Sequence, residues 1–491
     1  MIDLIIDGGT IITINPEREI LEGYSIAIND GRILDIDVTE VICQKYPAKE
    51  HISAKDKIVL PGLVDAHGHA GHGLIKTIAS DTPSFWSELV TNTYFHYTTD
   101  EFWYVEGRLS ALERLKAGIT CGLSVIGSQP RSDDKVFASN HAKAYAELGI
   151  REAVAVGPCS PPWPVKVSRW KDGKQIQKTA SFDQLMAATE EVIQEWNHKA
   201  DDRIRVFVTP FLMVASMGSK GPTPPDLAPV LTEDDLMMTK AVRELAAKYN
   251  TRIHSDAFGG MVSLASRDPN GLLGPDVSLQ HCNGLSLDEI EILAKTDTRV
   301  GHVASSSHAI ARTPVPELIK AGVTVAVTTD GTAPKRPFDL FQMARMVQLI
   351  HQYHFRDPYY LPAGKLLEMI TIDAARALGW DDQIGSLEKG KKADIITVDM
   401  RQPHLTPNFM PVHRIVYETV GNDVADVVVN GKILMKDREV LGIDEDQIID
   451  AANEEALALI ERADLYRFTK LPKNFWGHGR MTMDEKLFDQ N

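Results

Sequence analysis

IVLPGLVDAHGH, residues 58–69, is the stretch on which the reading of this chain turns. It is an apolar run ending on two histidines separated by one glycine. Side chains alternate along a strand, so His67 and His69 share one face and can grip a single ion. Fewer than one such pair is expected by chance from 16 histidines in 491 residues, so the pair needs company to mean anything.

Seven more short apolar runs follow. They are ITCGLSVIGS (119–128), REAVAVGPC (151–159), IRVFVTPFL (204–212), TRIHSDA (251–257), VSLQHC (277–282), RVGHVASS (299–306) and VTVAVTTD (323–330). The segments between them carry helix punctuation. Thr232 precedes Glu233, Asp234 and Asp235, an N-cap with acids in the first turn, and Met238, Val242, Leu245 and Tyr249 then recur on one face. Ser286, with Asp288 and Glu289, opens another helix. Eight strands alternating with helices predict an α/β fold, a (β/α)8 TIM barrel over residues 58–382.

The flanks read differently. Residues 1–57 hold β-branched runs around Asp7-Gly8 and Asp30-Gly31, both read as hairpin turns. Strands return after residue 383, in KADIITVDM and in DVADVVVNGKILM with its Asn430-Gly431 turn. Segments 1–57 and 383–445 are therefore expected to pair as a composite β-sandwich, with a C-terminal helix and tail over 446–491. Two connections, 160–185 and 212–230, are rich in proline or glycine and would sit at the C-terminal face of the barrel. There they would act as lids, or be plain surface excursions or oligomer contacts.

Three more strand ends carry metal-type donors: His254, His281 and Asp330. In the last run Val323, Val325 and Val327 suit the helix layer, whereas Thr324, Ala326, Thr328 and Asp330 suit the interior. In a barrel all these tips converge at one end, and such imidazole and carboxylate donors suit Zn²⁺ or Fe²⁺.

PGLVDAHGH, His254, His281 and TTDG (328–331), with IGSLEKGKKADIITVD (384–399) and VVVNGK (427–432), together resemble the amidohydrolase superfamily. The similar branch holds cytosine, guanine and S-adenosylhomocysteine deaminases and the triazine hydrolases, and the resemblance runs to about residue 465. It implies that His67, His69, His254 and Asp330 bind one divalent metal: Zn²⁺, with Fe²⁺ or Mn²⁺ as alternatives. His281 would contact the attacking water or the substrate, and Asp330 would also take the proton of that water. IRVFVTPF contains no lysine, so the carboxylated-lysine bridge of the binuclear branches is not expected.

Two departures mark the pocket as unusual. The deaminases carry a proton-donating glutamate three residues after the strand-5 histidine, and here that position is Ala257. Asp256 is the nearest substitute. A family segment reading His-Cys-Pro-x-Ser-Asn is here His302-Val303-Ala304-Ser305-Ser306-Ser307. His308 is a candidate to face substrate, and His72 to sit at the mouth or behind the ligands. His351 and His354, on a helical stretch, read as surface residues. Trp86, Tyr94, Phe95, Trp103 and Tyr104 would wall a pocket or fill the core.

The expected activity is that of a mononuclear metal hydrolase acting on a small cyclic molecule, deaminase- or chlorohydrolase-like on a nitrogen heterocycle. The alternative is a cyclohydrolase that opens a cyclic ketone or 1,3-diketone, such as a dihydrophloroglucinol-type ring. That reaction needs a proton on carbon, from His281, His308 or Asp256. From another class stands a non-catalytic barrel scaffold.

Composition bounds the partners. Hydrophobic residues at 43% and charged residues at 24% exclude gross disorder. A formal charge of −16, from 52 basic and 68 acidic residues, argues against nucleic acid or an anionic membrane as partner. Cys43, Cys121, Cys159 and Cys282 form no CxxC pair, and the N-terminus lacks a basic n-region. A cytoplasmic homo-oligomer is the expectation.

Overall fold

In the computed structural model, which describes residues 1–80, 86–218, 230–304, 311–471 and 475–479, the eight apolar runs supply the eight parallel strands of a barrel. Strand 1 is split into Leu63–Asp65 and His69–Ala70. Strands 2 to 5 are Ile119–Ile126, Arg151–Val156, Ile204–Val208 and Ile253–Phe258. Strands 6 to 8 are Val277–Asn283, Arg299–His302 and Val325–Val327. Parallel ladders join each strand to the next from 1 through 8.

Period-2 alternation sorts the strand residues into two cores. Val64, Leu123, Ala153, Ala155, Phe207 and Ala326 pack together as the barrel interior, closed beneath by Leu378 and Trp380. Val154, Val156, Val206, Val208, Val325 and Val327 join the larger core shared with the helices. The caps read from sequence form as expected. Thr232 with Asp235 and Ser286 with Glu289 make reciprocal capping boxes, opening Glu233–Lys248 and Leu287–Thr296.

The N- and C-terminal strand sets form one nine-stranded sheet. Its junction is the antiparallel pair of Lys57–Pro61 with Ile395–Asp399. Leu4, Ile26, Ile28 and Val59 share a core with Ile395, Val428 and Ile433, so residues from both ends of the chain fill the composite β-domain. Asp30-Gly31 and Asn430-Gly431 turn with positive φ at both positions, as type I′ hairpins require. Asp7-Gly8 does not turn the chain. Ile2–Ile12 runs through it as one strand, and Gly8 at φ 77° sits in a bulge between Ile6 and Gly9. Glycine supplies the same backbone angle to a turn and to a bulge, so the dipeptide alone cannot separate them.

The connection at 160–185 is more ordered than its prolines imply. Val165–Lys171 and Lys174–Ala180 form an antiparallel hairpin, anchored where Arg131 Nη2 donates to Ser168 O at 2.6 Å and Trp170 Nε1 to His96 O at 2.7 Å. The other long connection lies largely outside the described residues. The closing helix is Glu445–Arg462, joined to helix Asp100–Lys116 by a Lys116–Glu445 pair at 2.6 Å. Among the described residues no helix is long and apolar enough to cross a membrane, and all four cysteines are free.

Candidate metal centre

His67 and His69 flank the split in strand 1, both buried, and Gly68 between them packs against the Arg114 side chain and Leu123 O. His254 is the second residue of strand 5, and His281 lies near the end of strand 6. Asp330 follows strand 8 at φ 60°, and His281 and Cys282 stand at φ 70° and 52°. Left-handed backbone is costly for residues bearing a Cβ, and these three positions adopt it beside the site.

These tips converge. Oδ1 of Asp330 lies 3.2 Å from His69 Nε2 and 3.6 Å from His67 Nε2. His67 Nδ1 stands 2.8 Å from His254 Nε2. Donor atoms of His67, His69 and Asp330 all lie within 4.8 Å of one another, as do those of His67, Asp256 and His281. His67 thus belongs to both groups, and His281 Nε2 is 3.7 Å from Asp256 Oδ2.

The donor set fits a divalent cation. His69 Nδ1–H donates to Gly127 O at 2.7 Å, so Nε2 faces Asp330, and although burial pulls this imidazole down the neighbouring carboxylate raises its pKa above the ordinary value. His254 Nδ1 meets Ser278 Oγ at 2.8 Å. Burial pulls His67 and His254 down to about 3, so both rings stay neutral, the form that ligates metal. His67 Nε2 is buried without a hydrogen-bond partner among the described residues. Burial also works against the Asp330 carboxylate, yet the Arg336 guanidinium and the His69 imidazole outweigh it and hold its pKa well below the ordinary value.

Arg336 was not legible in the sequence: its Nη2 lies 3.0 Å from Asp330 Oδ2, while its Nε donates to Gly331 O. It follows Asp330 by six residues in a loop, where no periodicity marks it. His72 proves buried, its ring stacked on His69 at 4.8 Å and edge-on to Trp86 at 5.7 Å, which fits a place behind the ligands. Tyr94 and Trp103 are core residues, and Phe95 packs under the hairpin. Tyr104 donates to Glu147 near the surface. His354 is exposed as expected, but His351 is fully buried and its ring lies 5.8 Å from that of His302. On helix Leu340–Phe355 position 351 continues the inward stripe of Leu340, Ala344 and Val347, and that stripe decides the matter. His308 lies outside the described residues. Ala257 is buried at the position where the resemblance expects a glutamate.

The Amidohydrolase family pattern matches residues 58–434. A 5'-deoxyadenosine deaminase of Methanococcoides burtonii is 30% identical over 480 residues, covering 94% of this chain and 99% of the relative. A 5-methylthioadenosine/S-adenosylhomocysteine deaminase of Desulforamulus reducens is 28% identical, covering 93% and 99%. Among solved structures, an adenosine deaminase from Xanthomonas campestris with bound zinc superposes with a TM-score of 0.80 at 24% identity, over 94% of this chain and 99% of that one. An atrazine chlorohydrolase from Arthrobacter aurescens complexed with zinc does so with a TM-score of 0.75 at 21% identity, over 92% and 100%.

Proposed function

The chain belongs to the amidohydrolase family, and from that premise we propose that it is a mononuclear metal-dependent hydrolase of a small nitrogen heterocycle. The reaction class is deamination or the matching displacement of another ring substituent. The observation that supports this reading is the buried grouping of His67, His69 and Asp330, whose donor atoms lie within 4.8 Å of one another, with His254 Nε2 2.8 Å from His67 Nδ1. The deaminase relatives support an adenine-type ring as the first substrate class to try.

His67, His69, His254 and Asp330 would hold one divalent cation, zinc by donor type, with Fe²⁺ or Mn²⁺ as alternatives. When bound, the cation supplies Lewis acidity and brings the pKa of water toward 7. The Asp330 carboxylate accepts the proton of the attacking water, its Oδ2 kept in place by Arg336 Nη2. His281 orients the substrate from Nε2, and Asp256 Oδ2, 3.7 Å away, stands where the proton taken from the water can be passed on to the leaving group. Both face the ligands, because Asp256 stands two residues after His254 on the same side of strand 5. We assign residues 58–382 to this catalytic barrel and 1–57 with 383–445 to the composite domain.

One observation favours a second reading. The methyl group of Ala257 cannot protonate a ring nitrogen, and a cyclic 1,3-diketone requires no such proton. Addition of water to its carbonyl breaks the carbon–carbon bond, and the departing enolate carbon takes a proton from Asp256 or His281.

Elemental analysis of the purified protein, paired with one substrate screen, tests both readings. About one metal per chain with ammonia release from adenosine analogues or aminated pyrimidines supports the heterocycle. Acid formation from a cyclic 1,3-diketone without ammonia transfers the assignment to carbon–carbon hydrolysis. A protein without metal that stays inactive after addition of Zn²⁺, Fe²⁺ or Mn²⁺ overturns both and leaves the scaffold reading.

A further inference from the structure

We propose that Thr329 and Arg114 are positioning residues for the metal centre, acting through the carboxylate of Asp65 across the seam between strands 8 and 1. The inference rests on the metal centre proposed above. The seam is the weak place in the barrel: among the described residues strands 8 and 1 share no ladder, whereas every other neighbouring pair does. Two of the proposed ligands, His67 and His69, lie on one side of this seam, and Asp330 lies on the other. Whatever sets the width of the seam sets the spacing of the ligands.

One backbone bond, from Asp330 N to His67 O at 3.0 Å, crosses it at the ligands themselves. The rest of the closure is a side-chain clamp. Asp65 ends the first half of strand 1, two residues before His67. Its Oδ1 accepts Thr329 N–H at 2.9 Å, and its Oδ2 accepts the Thr329 hydroxyl at 2.6 Å and Arg114 Nη2 at 3.0 Å. Thr329 immediately precedes Asp330. The hydroxyl has a single proton, and of its two acceptors Asp65 Oδ2 is nearer than Asp330 O, at 3.2 Å.

Arg114 fixes Asp65 in turn. It rises from helix Asp100–Lys116 with its guanidinium fully buried, 4.4 Å from the Phe338 ring centre. Nη1, with two protons, lies within hydrogen-bond reach of Glu152 Oε2 at 3.1 Å, Ser124 Oγ at 3.0 Å and Tyr145 Oη at 2.9 Å. Nη2 also reaches Leu123 O at 3.1 Å. A planar cation bound to strands 2 and 3 therefore orients the carboxylate that takes the place of a ladder between strands 8 and 1. In a dry interior such charge-assisted bonds are short and directional, which suits positioning better than net stability.

The test is a Thr329→Val and Thr329→Ser pair in the full-length protein. Valine keeps the shape and the backbone N–H but removes the hydroxyl, and serine restores it. Metal-stripped protein is titrated with Zn²⁺ against a chromophoric chelator, with the thermal midpoint measured alongside. Thr329→Val is expected to bind Zn²⁺ roughly 10-fold more weakly, at the low end for partners that orient metal ligands, while Thr329→Ser stays near wild type. The visible spectrum of the Co²⁺-loaded valine variant should shift with it. Wild-type affinity in the valine variant overturns the proposal whatever its thermal midpoint, and so does an equal loss in the serine variant. A wild-type chain that takes up no metal in the same titration overturns the centre itself and the clamp with it.

Discussion

Where strand 3 begins, Arg151 is bidentate to Asp394 at 2.6 and 3.0 Å, both side chains fully buried, and Asp394 also accepts Asn430 N–H at 2.9 Å. At the opposite end of the barrel His67, His69, His254, His281, Asp256 and Asp330 crowd together. There His67 Nε2 and His281 Nδ1 are buried without hydrogen-bond partners among the described residues, and His281 and Asp330 hold left-handed backbone. The two ends are similarly buried. At the base each charged group meets a geometrically matched partner and joins the barrel to the composite sheet. At the rim the donors share one another, an arrangement that leaves lone pairs available and costs conformational freedom. Burial by itself therefore does not mark a functional site; the accounting of partners does.

The sharpest way to break this contrast is at the rim. Asp330→Asn should lower turnover roughly 10²–10⁴-fold, the range of a lost general base, while circular dichroism and the unfolding midpoint stay near wild type. Undiminished turnover would sink the assignment of Asp330.

The base should answer in the opposite currency. Asp394→Ala strands the buried Arg151 guanidinium and should cost about 3–5 kcal/mol in urea unfolding. The folded fraction should keep its metal stoichiometry. A variant that loses metal but not stability would erase the distinction between the two ends.

A smaller effect joins the two. Stripping metal with a chelator should lower the unfolding free energy by about 2.7 kcal/mol for metal initially present at 100 times its dissociation constant. Readdition should restore it. A midpoint indifferent to metal would show that the rim is as self-sufficient as the base.

Much of the architecture was legible because its signals are local. A strand's period of 2 and a cap's spacing of three residues are written within a single element, so the eight barrel strands and the Thr232 and Ser286 caps could be read directly. Most of the candidate ligands stood out because they close apolar runs, but His254, expected at the end of its strand, is the second residue of strand 5. The misreadings occur where a local signal has two structural uses. Asp-Gly makes a turn at 30–31 and a bulge at 7–8. A helical histidine is exposed at 354 and buried at 351, depending on which face the core takes.

From its sequence alone this protein was determined to be an α/β barrel carrying candidate histidine and aspartate ligands in its apolar runs, because backbone periodicity is a short-range property. Only the tertiary structure decided that Arg336 reaches Asp330, that Arg151 latches Asp394, and that Asp65 clasps Thr329 across 264 positions of chain. The first lies within a loop that has no periodicity, the second joins strand 3 to the composite sheet, and the third forms only when the barrel closes and brings its first and last strands side by side.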